Sequence, residues 1–212
     1  LQAELLSMQQ RGVGLSGERQ QAFNSTSERL AELSTQFGNH VLDATQGWSL
    51  VVHERERLAG LPQRALDILA AAAKEAGDLH ADGSEANGER GPWRLGLDMP
   101  RFLPVLTHAD NRQLRETLYR AHVSRASQGE LDNTPLIEEI LSLRREQAIR
   151  LDYRHWAELS LAGKMAEDVD AVEGLLEELR AAAYPAALRE LDDLQACALH
   201  HGVPEAESLE PW

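Results

Sequence analysis

The stretch DMPRFLPVLTHADNRQLRETLYRAHVSRAS, residues 98–127, decides the fold of this chain. It joins a helix start marked by prolines to an amphipathic helix. Proline is tolerated in the first turn of a helix, because the backbone N–H groups there have no intrahelical partner. Pro100 and Pro104 therefore predict a short helix that runs through Thr107, with both prolines in its first turn.

The second half of this stretch predicts a longer helix. Asp110 and Asn111 are both suited to cap it, because a short polar side chain accepts a hydrogen bond from the first turn. Leu114, Leu118 and Ala121 follow at spacings of four and three, which places them on one face. We expect that face to be buried.

The composition of the whole chain favours helices and argues against two classes of partner. Its 212 residues are rich in Ala, Leu, Glu, Arg and Gln, and only 5% are aromatic. The net charge is −14, from 35 acidic and 21 basic residues. Nucleic acids and anionic membrane surfaces attract basic proteins, so neither is an expected partner. No apolar run approaches the roughly 18 residues of a membrane span.

The first half of the chain predicts helices around one small sheet. A helix ends near residue 10, and a glycine-rich connector covers 11–17. Ser16 is expected to cap a long helix that ends at Gly47. Its apolar or small side chains recur every three or four residues. They are Phe23, Thr26, Leu30, Leu33, Phe37, Val41 and Ala44.

Two short segments between these helices predict strands. Residues 48–52 are aromatic and β-branched, and residues 93–97 alternate apolar and other side chains, so we expect them to pair. A helix is expected from about residue 62 to residue 76. The polar, glycine-rich residues 77–91 are interpreted as a mobile surface loop.

The second half predicts three more helices. Asn133 or Thr134 is expected to cap the first of them. Its expected apolar stripe is Ile137, Ile140, Leu141, Ala148 and Leu151. A short helix follows over residues 153–161.

Asp168 or Asp170 is expected to cap a last long helix, which Gly202 and Pro204 end. Pro185 lies inside it, and we favour a kink there because the apolar stripe continues in phase. The stripe is Val172, Leu175, Leu176, Leu179, Ala183, Ala187, Leu191, Leu194 and Ala198. Cys197 lies on its apolar side and is interpreted as a buried structural thiol.

No catalytic, cofactor-binding or metal-binding residue is predicted. A zinc helix needs two histidines four residues apart with a glutamate between them, and His53-Glu54 is followed by Arg57 instead. His200 and His201 are expected to point to different helix faces. None of the eight histidines makes the required pair; they are His40, His53, His80, His108, His122, His155, His200 and His201. The chain also lacks a G-x-S-x-G elbow and a P-loop.

Three patches, in this order, resemble the oligopeptidase A / thimet oligopeptidase family of zinc metallopeptidases. They are LSTQFGNHVLDATQGW at 33–48, the stretch at 98–127, and DNTPLIEEILSLRREQAIRLDYRHWAELSLAGKMA at 132–166. The likeness covers roughly residues 15–182. One departure is Leu151-Asp152-Tyr153, where the family usually has Leu-Gly-Phe, although aspartate can still turn the chain.

The resemblance implies a mostly α fold, the helical channel-wall region of a zinc oligopeptidase, with one small two-stranded β element. It implies a single, non-catalytic helical region over residues 1–212. The intact enzyme would hydrolyse short peptides with zinc held by a C-terminal catalytic part, in the cytoplasm or an organelle matrix. Both ends of the chain look like cuts through a longer polypeptide. The alternative is a stand-alone helical binding module, or a degenerate gene product without peptidase activity.

Overall fold

Eight α-helices and one two-stranded sheet form the part of the chain that the computed structural model describes, residues 1–203 and 206–212. The prediction of a mostly α protein with one small β element is confirmed. Pro204, the expected stop of the last helix, lies outside the described residues. In chain order the elements are α1 (Gln2–Gln10), α2 (Gly17–Gly47), β1 (Ser49–Val52), α3 (Gln63–Glu75), β2 (Trp93–Gly96), α4 (Met99–His108), α5 (Arg112–Val123), α6 (Thr134–Arg150), α7 (Trp156–Leu161) and α8 (Val169–His200).

The chain divides into two compact units. The first unit contains Leu1–Thr35 and Pro135–Glu210, and the second contains Gln36–Thr134 and Pro211–Trp212. The single helical region expected over residues 1–212 stays a prediction.

The core of the second unit forms around the sheet. β1 and β2 pair antiparallel, with Ser49 opposite Gly96 and Val52 opposite Trp93, so the predicted strand pairing is confirmed. Apolar residues spaced by three and four place one face of α3 against the same cluster. The fully buried side chains of this unit include Val52, Leu66, Leu69, Trp93, Leu95, Val105, Leu114 and Leu118.

Helix α4 begins as the sequence predicts, but its second proline lies elsewhere. Asp98 is the residue before the helix, and its carbonyl oxygen accepts from the N–H of Phe102 at 2.9 Å. The first turn is therefore complete before Pro104, which lies inside the helix, and its expected place in that turn is wrong. The helix lacks one N–H donor at this point. The buried side chains of Phe102 and Val105 stabilise it against the core on either side.

The cap of α5 is Asn111, one of the two candidates. Its Oδ1 accepts from the N–H of Leu114 at 3.0 Å. Leu114 and Leu118 are buried, and Ala121 is half-buried against the same core. The predicted buried face of this helix is therefore confirmed.

Residues 77–91 form a loop with many internal contacts. Asp82 bonds Arg90 at 2.7 Å and the N–H of Ser84 at 2.9 Å. Asp78 holds Arg94 of β2 through two hydrogen bonds of 2.7 Å. The mobility of this loop stays a prediction.

In the first unit, polar side chains join α2 to α6. Arg29 pairs with Glu139 through bonds of 2.6 and 2.9 Å. Gln147 donates to the Ser27 hydroxyl at 2.9 Å. The bond of Gln147 gives its buried amide the partner that burial requires, so this side chain can lie on the covered face of α6.

The buried face of α6 differs from the predicted stripe. Ile140 and Ala148 are buried as expected, but Ile137 and Leu141 are 44% and 60% exposed. Leu136 and Gln147 are buried in their place. The covered face is thus rotated by about one residue, and its polar member is buried because Ser27 satisfies its amide.

A sharp turn follows α6 at Asp152, where the family that the sequence resembles usually has glycine. Asp152 has a φ of +65°, in the left-handed region that glycine adopts most easily. Aspartate is one of the few other residues that tolerate it. The glycine usual at this position therefore has a conformational reason, and the expectation that Asp152 still turns the chain is confirmed.

Helix α8 has the predicted cap and length but not the predicted burial. Asp168 accepts from the N–H of Ala171 at 2.8 Å, and the helix runs unbroken through Pro185. No residue of its 32 is buried. Cys197 is exposed, so its interpretation as a buried thiol is wrong. The covering surface that the apolar stripe implies is absent from the described residues.

Candidate functional site

The histidines are held in separate local contacts. His40 Nδ1 lies 2.9 Å from the Oδ1 of the buried Asn133, and His155 Nδ1 accepts from the N–H of Glu158 at 3.3 Å. The rings of His200, the last residue of α8, and His201 meet edge to face with 5.3 Å between their centroids. That the two side chains point to different helix faces stays a prediction.

The described residues do not fit a metal centre. Nowhere in residues 1–203 and 206–212 do three His, Cys, Asp or Glu side chains come together to hold an ion. Zinc in proteins needs at least three protein ligands. The absence of catalytic and metal-binding residues stays a prediction for the whole chain.

His122 is the histidine most affected by its surroundings. Its ring stacks on Phe102 with 4.2 Å between centroids. Burial lowers its pKa, the nearby charge of Arg125 lowers it further, and a hydrogen bond with the backbone of Leu97 acts in the opposite direction. Its Nδ1 has no hydrogen-bond partner among the described residues. Burial and the charge of Arg125 thus favour the neutral form of this ring.

We expect this packing to make the second unit less stable in mild acid. The pKa of His122 is lower in the folded state than in the unfolded chain, so the unfolded state takes up the proton first as the pH falls. Stability is therefore complete above the unfolded pKa of about 6.5 and declines as the pH falls through the folded value. Urea unfolding at a series of pH values measures this slope. In His122→Phe the slope should be smaller; an unchanged slope would assign it to other groups.

Helix α8 presents a series of exposed leucines in the first unit. The side chains of Leu175, Leu176, Leu179, Leu191 and Leu194 are 41–60% exposed, and we call these five the leucine face. Burying a leucine contributes about 1.5–3 kcal/mol. Exposed apolar side chains that recur along one helix indicate a surface for a partner.

A second surface feature is an arginine-lined depression of about 490 Å³ in the first unit. We call it the arginine pocket. Its lining residues, from α6 and from α7 with the turn before it, are Leu141, Arg144, Arg145, Arg154, His155, Trp156 and Ala157. The sequence patterns did not predict this pocket. The available signal was Arg144-Arg145 followed by Arg154-His155-Trp156 in an acidic chain.

A depression in the second unit has no comparable charge. Gln46, Ser49 and a row of α3 alanines line it together with Arg94 and Arg101. Arg94 is paired with Asp78 and Arg101 with Asp98, so both cations are neutralised. Glu75 also lines it, so this surface offers a ligand a carboxylate rather than an unpaired cation.

The chain is similar to peptidases over most of its length. The family model for Peptidase family M3 matches residues 105–212. The chain is 42% identical over 201 residues to the probable cytosolic oligopeptidase A of Arabidopsis thaliana, covering 95% of this chain and 28% of that protein. It is 43% identical to the organellar oligopeptidase A (chloroplastic/mitochondrial) of the same plant, with 95% and 25% covered. For oligopeptidase A of Escherichia coli the identity is 42%, with 95% and 28% covered.

The alignments also show how much of each relative the chain covers. It spans only about a quarter of the length of the proteins it matches. Among the described helices, none has the length and apolar character needed to cross a membrane.

Proposed function

We propose, since this chain belongs to peptidase family M3, that it is a non-catalytic helical part of a zinc metallo-oligopeptidase that hydrolyses short peptides. One observation carries this proposal. Over 95% of its length the chain is 42% identical to oligopeptidase A relatives, yet its sequence contains no His-Glu-x-x-His. We infer that zinc and the groups that cleave the peptide belong to a further, C-terminal part, and that this chain helps to wall the substrate channel.

The leucine face supports the idea of a further part. None of the 32 residues of α8 is buried, although apolar side chains recur in phase along this helix. Helices are stabilised mainly by packing an apolar face, so a 32-residue helix of this kind needs a covering surface. The length that the relatives have beyond the matched region can supply it.

The relatives also support a compartment. One plant relative is named as cytosolic and another as chloroplastic/mitochondrial. We therefore propose the cytoplasm or an organelle matrix, where a single cysteine, Cys197, needs no disulfide partner.

Two measurements test the function. We expect the purified chain to hold no stoichiometric zinc, because a zinc site needs three protein ligands and the described residues bring no such group together. We also expect no chelator-sensitive cleavage of a short peptide. Metal analysis and a fluorogenic peptide assay, with oligopeptidase A of Escherichia coli as the positive control, check this. Bound zinc with chelator-sensitive cleavage would contradict the non-catalytic role.

Reading the coding sequence beyond Trp212 tests the larger protein. A His-Glu-x-x-His downstream supports a peptidase of which this chain is a part. A stop codon directly after Trp212 would contradict it and favour the stand-alone binding module.

A further inference from the structure

We propose that the arginine pocket binds a free carboxylate joined to an apolar side chain, as at the C-terminus of a short peptide. The pocket holds none of the groups that the proposed function relies on. Its ligand binding is measured on this chain without catalysis, so the two proposals can fail separately.

The charge of the arginine pocket favours an anionic ligand. Three arginines and one histidine line the pocket, and within the described part of the chain no acidic residue lines it, although acidic residues outnumber basic ones by 35 to 21 overall. Arg154 is neutralised by Glu158, which accepts from both its guanidinium and its backbone N–H. Among the described residues Arg144 and Arg145 form no ion pair. Two positive charges are therefore left for a ligand.

The hydrogen-bond donors in the pocket suit a carboxylate. The Arg144 Cζ atom lies 5.3 Å from the centroid of the Trp156 ring, which holds the guanidinium by a cation–π contact. The planar fork of N–H groups on a guanidinium matches the two oxygens of a carboxylate. His155 adds a donor. Its Nδ1 accepts the N–H of Glu158, so in the neutral ring Nε2 carries the proton.

The size and the apolar lining of the pocket suit a ligand that also carries an apolar side chain. Trp156 is half-buried, and Leu141 and Ala157 are exposed, so each presents carbon surface to the pocket. The volume of about 490 Å³ lies in the range of small-ligand sites, about 300–1,000 Å³. It fits one or two residues of a peptide. A carboxylate with an apolar side chain uses both the charge and the carbon surface, whereas inorganic phosphate uses the charge alone.

The test titrates the full chain with three probes by isothermal calorimetry and NMR chemical-shift mapping. The probes are N-acetyl-leucine, N-acetyl-leucinamide and inorganic phosphate. We expect N-acetyl-leucine to bind and to shift the signals of α6 and α7. The amide, which lacks the carboxylate, should bind at least about tenfold more weakly because it loses the charge-assisted bonds. Phosphate should also bind more weakly.

Variants locate the site. Arg144→Gln and Arg145→Gln should each weaken N-acetyl-leucine binding on the order of tenfold, because each removes a cation that forms no ion pair with the described residues. Arg189→Gln on α8 is the matched control: it makes the same charge change on an exposed helix position outside the pocket. Circular dichroism confirms that each variant is folded.

Four outcomes would overturn the proposal. They are no binding of N-acetyl-leucine, equal binding of the amide, tighter binding of phosphate, and an equal loss of binding in Arg189→Gln. The metal and cleavage assays above do not depend on any of these results.

Discussion

Replacing Leu179 and Leu191 together by glutamate should convert the purified chain from a concentration-dependent oligomer to a monomer. Both side chains belong to the leucine face and are 57% and 41% exposed. Exposed apolar patches of this kind drive association in water. Each leucine is already partly covered, so its burial at an interface contributes about 1.4 kcal/mol, and the double change weakens association on the order of a hundredfold.

Sedimentation velocity over a wide range of protein concentrations measures this effect. Ala181→Glu together with Ala196→Glu is the control, because both alanines are exposed, lie on the other side of α8, and give the same change in charge. Glutamate is a good helix former in either pair. The control should associate as the unaltered chain does.

In a longer polypeptide the same pair of leucines should have a second effect. If a further part of the protein covers the leucine face, Leu179→Glu with Leu191→Glu should lower its thermal stability and its peptide cleavage, and the alanine pair should leave both unchanged. An unaltered chain that stays monomeric at all concentrations, with a longer protein insensitive to the leucine changes, would refute a role for this face in contact.

Trp93→Ala should cost the second unit about 3–5 kcal/mol of unfolding free energy, the usual range for deleting a large buried aromatic side chain. Trp93 is 0% exposed on β2 and lies opposite Val52. Its ring packs within the same core as Leu66 and Leu118. Alanine there leaves a cavity between the sheet and the helices that cover it.

Trp93→Phe is the matched control for this change. It keeps an aromatic ring and removes an indole N–H that has no hydrogen-bond partner among the described residues. No hydrogen bond is lost, so the destabilisation should be less than half of that in Trp93→Ala. Urea unfolding followed by circular dichroism measures both. A loss below about 1 kcal/mol in Trp93→Ala would show that this residue does not anchor the core.

The features that sequence analysis predicted well depend on neighbours along the chain. The strands at 48–52 and 93–97 follow from β-branched and alternating residues, and the structure has β1 and β2 at those places. Asn111 and Asp168 cap their helices because a side-chain oxygen reaches an N–H three residues later. The family was also recognisable from three short sequence patches that occur in the family's order.

The errors concern contacts with distant residues. The periodicity of α6 allowed either Ile137 or Leu136 on the covered face. In the structure Leu136 is buried together with Gln147, which bonds Ser27, 120 residues away in the sequence. Cys197 was placed beside apolar neighbours correctly, but nothing covers that side of the helix among the described residues.

The sequence by itself determined where helices begin and end, that α8 carries an apolar stripe in phase, and that no His-Glu-x-x-His is present in the chain. Only the tertiary structure decided which stripes are covered and that Arg144 and Arg145 meet Arg154 and Trp156 in one pocket. The physical reason is the distance along the chain over which each effect acts. Capping and periodicity act over one or two turns of a helix, whereas burial and the convergence of charges depend on which distant segment the fold brings alongside, or leaves to another surface.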